Sequence, residues 1–110
     1  MSGLTLINEL NELQQQLVQG VRLMADYGRK FAQAEHDYKI ALAKKSLELR
    51  DEGMAVTLVD KVVYGKVAKE RLERDIAEVM YKTSMENINA TKLRLRLVQA
   101  QIEKEWSNEQ

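Results

Sequence analysis

The sequence has 110 residues, with 17 basic side chains against 17 acidic ones and a formal net charge of zero. A neutral chain of this length leaves room for one small domain and lacks the bulk positive field of a strong duplex-DNA binder. Cysteine and proline are both absent, which excludes disulfides and thiol chemistry and permits long uninterrupted helices. We therefore predict a single helical domain over residues 1–110.

The first predicted element is a long helix over about residues 5–52, in which apolar or small residues recur in alternating steps of three and four. This spacing is typical of a helix that packs along a seam with another helix. Gly20 and Gly28 lower the helix propensity locally, and we expect a bend or a break near one of them. The residues of the predicted seam are Leu10, Leu13, Leu17, Gly20, Met24, Tyr27, Phe31, Ala34, Tyr38 and Ala41.

The second predicted element is a short helix at a corner of the chain. Gly53 is expected to end the first helix, since glycine accepts the left-handed conformation that side chains resist. Thr57 and Asp60 have the spacing of a capping pair, which predicts a short helix over residues 57–64. Gly65 is expected to end this helix and turn the chain again.

The third predicted element is a long helix over residues 66–106, with two apolar stripes separated by a polar middle. The polar middle either faces solvent or forms a polar cluster inside the fold, and its residues are Thr83, Ser84, Asn87, Asn89 and Thr91. Leu93, Leu95 and Leu97 would cover most of the helix circumference, so we expect burial on more than one side there. The stripe residues are Val67, Leu72, Ile76, Val79 and Met80, then Ile88, Leu95, Val98, Ile102 and Trp106.

Two long helices joined by a tight corner predict an all-α fold, a long antiparallel helical hairpin with a short helix at the corner. One hairpin can bury few side chains, and the three leucines of the last helix would need a partner surface to bury them. We therefore expect the hairpin to assemble with copies of itself, as a dimer or a higher oligomer, into a helical bundle.

The sequence offers few residues for catalysis or metal binding. Its single histidine, His36, lies between Glu35 and Asp37, and adjacent residues of a helix point in different directions. The glycines form no phosphate-binding loop, and no serine occurs in the context of a nucleophile. We therefore expect neither an enzyme nor a metal site nor a cofactor.

Aromatic residues beside basic ones suggest a ligand site. Tyr38 and Tyr81 are each followed by a lysine, and stacking faces next to cations are what a nucleotide or a single strand requires. Tyrosines flanked by lysines are also ordinary residues of a helix interface. The predicted ligand contacts are stacking from Tyr38 and Tyr81 and phosphate binding by Arg94 and Arg96, in a pocket between protomers.

Residues 52–60 read Glu-Gly-Met-Ala-Val-Thr-Leu-Val-Asp, residues 64–68 read Tyr-Gly-Lys-Val-Ala, and residues 97–106 read Leu-Val-Gln-Ala-Gln-Ile-Glu-Lys-Glu-Trp. These runs resemble small uncharacterised helical proteins encoded in early-gene regions of phages and prophages of Gram-positive bacteria. The resemblance covers roughly residues 35–106, and it assigns no functional residue.

What the resemblance implies is a phage setting, in which two roles are common for small proteins. The first is counter-defence, in which the protein binds a host immune protein or sequesters its nucleotide signal. The second is assistance to phage replication or recombination on single-stranded nucleic acid, and a structural coiled-coil protein is a third interpretation. We expect counter-defence. The chain lacks a membrane-length apolar run and a signal-peptide layout, so we expect the host cytoplasm and no membrane partner.

Overall fold

The computed structural model describes residues 2–109, which form three helices and no strand. Helix α1 spans Gly3–Asp51, α2 spans Val56–Lys66 and α3 spans Ala68–Glu109. This confirms the all-helical class and the predicted order of a long, a short and a long helix.

The chain divides into two compact units. Unit 1 contains the residues up to Ala25 together with those from Lys82 onward, and unit 2 is Asp26–Tyr81. All ten predicted seam residues of α1 are buried or half-buried, five in each unit. The alternating spacing therefore identified the inward face of α1 along both units.

Helix α1 is continuous through both glycines at which we expected a bend or a break. In unit 1, a methyl group at Gly20 would lie 3.3 Å from the side chain of Ile88. In unit 2, a methyl group at Gly28 would lie 3.2 Å from the ring of Tyr81. Because glycine has no side chain, α3 can approach α1 closely at both positions.

In unit 1 the two long helices run antiparallel. A Cβ at Gly3 would lie 3.9 Å from the Glu105 carboxylate, and Gly20 lies against Ile88. Residue numbers therefore increase along α1 while the numbers of the facing residues in α3 decrease. The apolar core of unit 1 comprises Leu6, Leu13, Leu95 and Val98, with Leu10, Leu17 and Ile102 packed against it.

The three alternating leucines of α3 do not share one environment. Leu95 is buried in unit 1, whereas Leu93 and Leu97 are 54% and 58% exposed. Burial on more than one side is therefore not found within the single chain. Alternate residues of a helix are 200° apart around its axis, so Leu93 and Leu97 lie on the side opposite Leu95.

The corner of unit 2 begins with a glycine cap, as predicted. Gly53 has a φ of 92°, its N–H donates to the Arg50 carbonyl at 2.9 Å, and the Met54 N–H donates to the Leu49 carbonyl at 3.1 Å. This is the Schellman arrangement, in which the two bonds satisfy carbonyls at the helix end. The Met54 side chain packs on a cluster formed by Leu49, Val59 and Val63.

The limits of α2 differ from those predicted. Ala55 is the N-cap residue, without a side-chain hydrogen bond, so the prediction of a Thr57 cap is wrong. Gly65 lies inside α2 and has no positive φ, so the predicted second turn at Gly65 is also wrong. The break is at Val67, with φ −113° and ψ 23°, angles open to any L-residue. Its N–H donates to the Val63 carbonyl at 3.1 Å. Because φ is negative at Val67, no glycine is needed there.

Candidate interaction surface

Tyr38 is part of the packing of unit 2. Its side chain is only 7% exposed, and the guanidinium carbon of Arg74 lies 4.8 Å from the centre of its ring. The guanidinium also donates two hydrogen bonds to Asp75, at 2.7 and 3.1 Å, and this hydrogen bonding raises the pKa of Arg74. The face of Tyr38 that we predicted to stack on a ligand is thus occupied by a side chain of the same unit.

Tyr81 is likewise engaged within unit 2. Its ring centre lies 6.1 Å from that of Phe31, with a tilt of 36°, in the range of favourable aromatic pairs. Its ring edge lies over Gly28. Tyr81 therefore fills the space that the glycine leaves between α1 and α3.

The two predicted phosphate contacts belong to unit 1, whereas the two tyrosines belong to unit 2. Arg94 and Arg96 are both exposed, and a terminal nitrogen of Arg94 lies 3.9 Å from a carboxylate oxygen of Glu9. Neither unit by itself brings a tyrosine and an arginine of the predicted set together. The ligand-binding role of these four residues stays a prediction.

The polar middle of α3 mainly faces solvent. Thr83, Asn87 and Asn89 are exposed, and the Thr91 hydroxyl donates to the Asn87 carbonyl at 2.9 Å within its own helix. Ser84 is the buried polar residue of this stretch. A polar patch that water can reach does not need a bound anion to satisfy its hydrogen bonds.

Among residues 2–109, no three histidine or acidic side chains are grouped as a metal site would require. His36 is exposed on α1. Over the same described range, no helix has the length and apolar character needed to span a membrane.

In unit 2, several half-buried positions of α3 carry charged side chains, while several exposed positions carry large apolar ones. Its half-buried positions include Glu70 and Arg74. Leu72, Ile76 and Val79 are 59%, 55% and 61% exposed. Removing apolar side chains from water lowers the free energy, so burial of these residues against a partner would stabilise the protein.

In unit 1, α3 again exposes apolar residues. Ala90, Leu93 and Leu97 continue the steps of three and four that begin at Leu72, and all three are exposed. We refer to this row as the outer stripe of α3. Its members are Leu72, Ile76, Val79, Thr83, Glu86, Ala90, Leu93 and Leu97.

The outer stripe was only partly recognised in the sequence. The first apolar stripe predicted for the last helix joined Val67 to Leu72 and Ile76, but Val67 is buried and the other two face outward. Counting onward from Val67 in steps of seven reaches Arg74 and Tyr81, which are half-buried. That count would have separated the two faces, because it follows helix geometry instead of hydrophobicity.

Comparison with protein-family models, with curated proteins and with solved structures gives no match to this chain in any of the three. The resemblance of residues 35–106 to phage proteins thus stays an interpretation of the sequence.

Proposed function

We propose that this protein is a non-enzymatic interaction protein of phage type that docks an exposed apolar helix face onto other proteins. The observation that supports the proposal is the outer stripe of α3. In the finer architecture that we propose, α1 and α3 form an antiparallel hairpin, and copies of the hairpin assemble into a helical bundle.

The exposure pattern of α3 supports docking over catalysis. A helix with one apolar side belongs on the surface of a fold, whereas a helix with apolar residues on opposite sides needs neighbours on both. Leu95 and Val98 pack inward in unit 1, while Leu93 and Leu97 point to solvent. Clusters of exposed apolar residues, such as Ala90, Leu93 and Leu97 in unit 1, mark protein interaction sites.

The role that we propose is counter-defence, by direct binding to a host immune protein in the host cytoplasm. The phage setting implied by the resemblance supports this role. The packing of the tyrosines favours protein binding over capture of a nucleotide signal, since Tyr38 is buried against Arg74 and Tyr81 forms a tilted aromatic pair with Phe31. A nucleotide could stack on Tyr38 only after Arg74 had left its ring.

A phage-challenge assay tests this function. Bacteria that carry individual defence systems would express the chain, and we expect plaque formation to recover for the system that it inhibits. Leu93→Asp should abolish recovery because a charge in a docking face is costly to desolvate. Gln99→Asp is the matched control, since Gln99 is exposed on the same helix but lies outside the outer stripe.

The competing roles give different results in these experiments. Recovery of plaques in no defence background, together with faster single-strand annealing by the purified chain, would replace counter-defence with the replication or recombination role. Equal recovery by the Leu93→Asp variant would show that the outer stripe is not the docking face.

A further inference from the structure

We propose that, in unit 1, one side of α1 binds the same side of α1 in a second copy of this chain, in an antiparallel pair. The inference rests on the proposed function, which includes assembly of copies into a bundle, and it specifies the contact surface, its direction and its register. The surface lies on a different helix from Leu93 and Leu97, so a host protein and a second copy would bind different parts of unit 1. We refer to it as the α1 stripe, and its members are Leu4, Ile7, Asn11, Gln14, Val18 and Val21.

The α1 stripe is an exposed row on the helix that packs against α3 in unit 1. Its members follow one another in alternating steps of three and four, which is the spacing of the a and d positions of a coiled coil. The four apolar members are between 46% and 70% exposed, whereas Leu6 and Leu13 of the unit 1 core are 1% and 2% exposed. Helix α1 therefore has a buried side and, separate from it, an exposed side with the spacing of a helix contact.

The polarity of the α1 stripe is complementary to itself. The stripe has no charged member, although 31% of the residues of the chain are charged, so a second copy can cover it without desolvating an ion. Asn11 and Gln14 lie at its centre, and an amide both donates and accepts hydrogen bonds, so one amide can satisfy another. Arg22 borders the stripe near one end, where a long side chain can keep its guanidinium in water.

One antiparallel register sets apolar residues against apolar residues and amides against amides along the whole stripe. A shift by one heptad sets Ile7 opposite Asn11 in one direction and Val18 opposite Gln14 in the other. An amide that is buried against an apolar side chain loses its hydrogen bonds, and a polar residue at such a position selects the register of paired helices. The matched register pairs Leu4 with Val21, Ile7 with Val18, and Asn11 with Gln14.

The residues beside the α1 stripe favour the antiparallel direction. In antiparallel helices each flank of the contact meets the same flank of the other copy, so Asn8 faces Gln15 and Leu10 faces Leu17. Both amides are exposed, and both leucines are half-buried against the core of unit 1. In a parallel pair in register, Leu10 would face Gln15 and Leu17 would face Arg22. The antiparallel pair therefore matches the flanks as well as the centre.

A hollow on α1 has the shape that this contact requires. All the residues that line it belong to α1, and they include Asn11, Gln14, Gln15 and Val18, at positions i, i+3, i+4 and i+7. Four residues at this spacing form the hole that receives one side chain in knobs-into-holes packing. In the matched register the side chain of Asn11 from the second copy enters this hole, where two glutamines supply donors and acceptors.

Two double variants test the pairing and its direction. The first carries Asn11→Lys and Gln14→Glu, and the second carries Asn11→Lys and Gln14→Lys. In the antiparallel register the first sets opposite charges against each other at both central contacts, whereas the second sets like charges. In a parallel pair in register both variants set like charges against each other. Both positions are exposed, so both variants should keep the helical circular dichroism of the unaltered chain.

Analytical ultracentrifugation would measure the mass of each sample at micromolar concentration. We expect the unaltered chain to give twice 12.7 kDa, and the first variant to associate at least about tenfold more tightly than the second. Leu93→Asp, at an exposed position of α3, is the control that should keep the mass of the unaltered chain. A monomeric unaltered chain, or equal association of the two double variants, would overturn the proposal.

Cysteine cross-linking gives an independent check that does not depend on charge, because the chain has no cysteine of its own. Ile7→Cys and Val18→Cys chains of different tag length, mixed and mildly oxidised, should form the mixed disulfide. Glu12→Cys, at an exposed position of α1 outside the stripe, is the control that should not join Val18→Cys. A disulfide between two Ile7→Cys chains would show parallel pairing and refute the proposed direction.

Failure of the pairing and failure of the proposed function give different results. A monomeric chain that still restores plaques would overturn the pairing and leave counter-defence standing. A chain that dimerises as expected but restores plaques in no defence background would overturn counter-defence and leave the pairing standing. Loss of plaque recovery with Leu93→Asp at an unchanged mass would support separate surfaces for the host protein and for the second copy.

Discussion

The same substitution at two glycines should change stability in opposite directions. Gly53 has a φ of 92° at the end of α1, whereas Gly65 lies within α2 without a positive φ. Apart from its chain neighbours and the backbone of its own helix, no atom lies within 4 Å of the place where a Cβ of residue 65 would stand. Gly53→Ala should therefore lower the free energy of unfolding, and Gly65→Ala should raise it. The two changes add the same methyl group, so they differ only in the backbone that receives it.

The expected magnitudes follow from the two backbone conformations. An alanine in the left-handed conformation costs about 1–2 kcal/mol, partly offset by the lower entropy of its unfolded chain, which leaves a loss of about 1 kcal/mol for Gly53→Ala. Alanine is favoured over glycine by about 1 kcal/mol inside a helix. Gly65 is the residue before the last of α2, so we expect a gain of about 0.5 kcal/mol there.

Urea unfolding followed by circular dichroism would measure both changes, with all samples at one protein concentration because self-association shifts apparent stability. In thermal unfolding, the Tm values of the two variants should differ by about 6 °C for a chain of this size, and Gly53→Ala should have the lower Tm. A loss of stability with Gly65→Ala would refute the assignment of Gly65 to the interior of α2. Unchanged stability with Gly53→Ala would refute the glycine cap.

Three further outcomes test the packing and the surface. Leu95→Ala removes a buried side chain from the unit 1 core and should lower the free energy of unfolding by about 2–4 kcal/mol, whereas Leu93→Ala should change it by under about 0.5 kcal/mol. Tyr38→Ala should cost about 3 kcal/mol, since the ring is buried in unit 2 and faces a guanidinium, and denaturant unfolding measures this loss. In calorimetry, cyclic di- and trinucleotides, ADP-ribose derivatives and short single strands should show no Kd below about 0.1 mM, and tight binding lost with Arg94→Ala and Arg96→Ala would restore the ligand hypothesis.

The seam of α1 could be predicted because its apolar and small residues all lie on the side that packs. Leu13 and Tyr38 stand in the same spacing, and both are buried. The cap at Gly53 could be predicted for a similar reason, since glycine after a long helical pattern has few other uses. At these positions the residue type that the local helix geometry favours is also the type that the packing of the helices requires.

The environment of α3 could not be predicted in the same way. In unit 2 its inward side carries Glu70 and Arg74, so hydrophobicity points to the wrong side of the helix. The partner of Tyr38 is a cation on another helix, and its position depends on how the two helices are aligned along each other. Gly65 was misplaced because a glycine is tolerated in a helix at modest cost, and no signal in the sequence distinguishes that use from a turn.

A Cβ added at Gly3 would lie 3.9 Å from the Glu105 carboxylate, and this closeness places the first turn of α1 beside the last turns of α3 in unit 1. Fluorophores attached at positions 3 and 105 would therefore lie side by side and close to the exposed indole of Trp106. A label inserted after Gly53 would instead project from unit 2. The same closeness permits circular permutation, in which a linker bridges the first turn of α1 and the last turns of α3 and new termini open between Gly53 and Ala55, with all three helices left uncut.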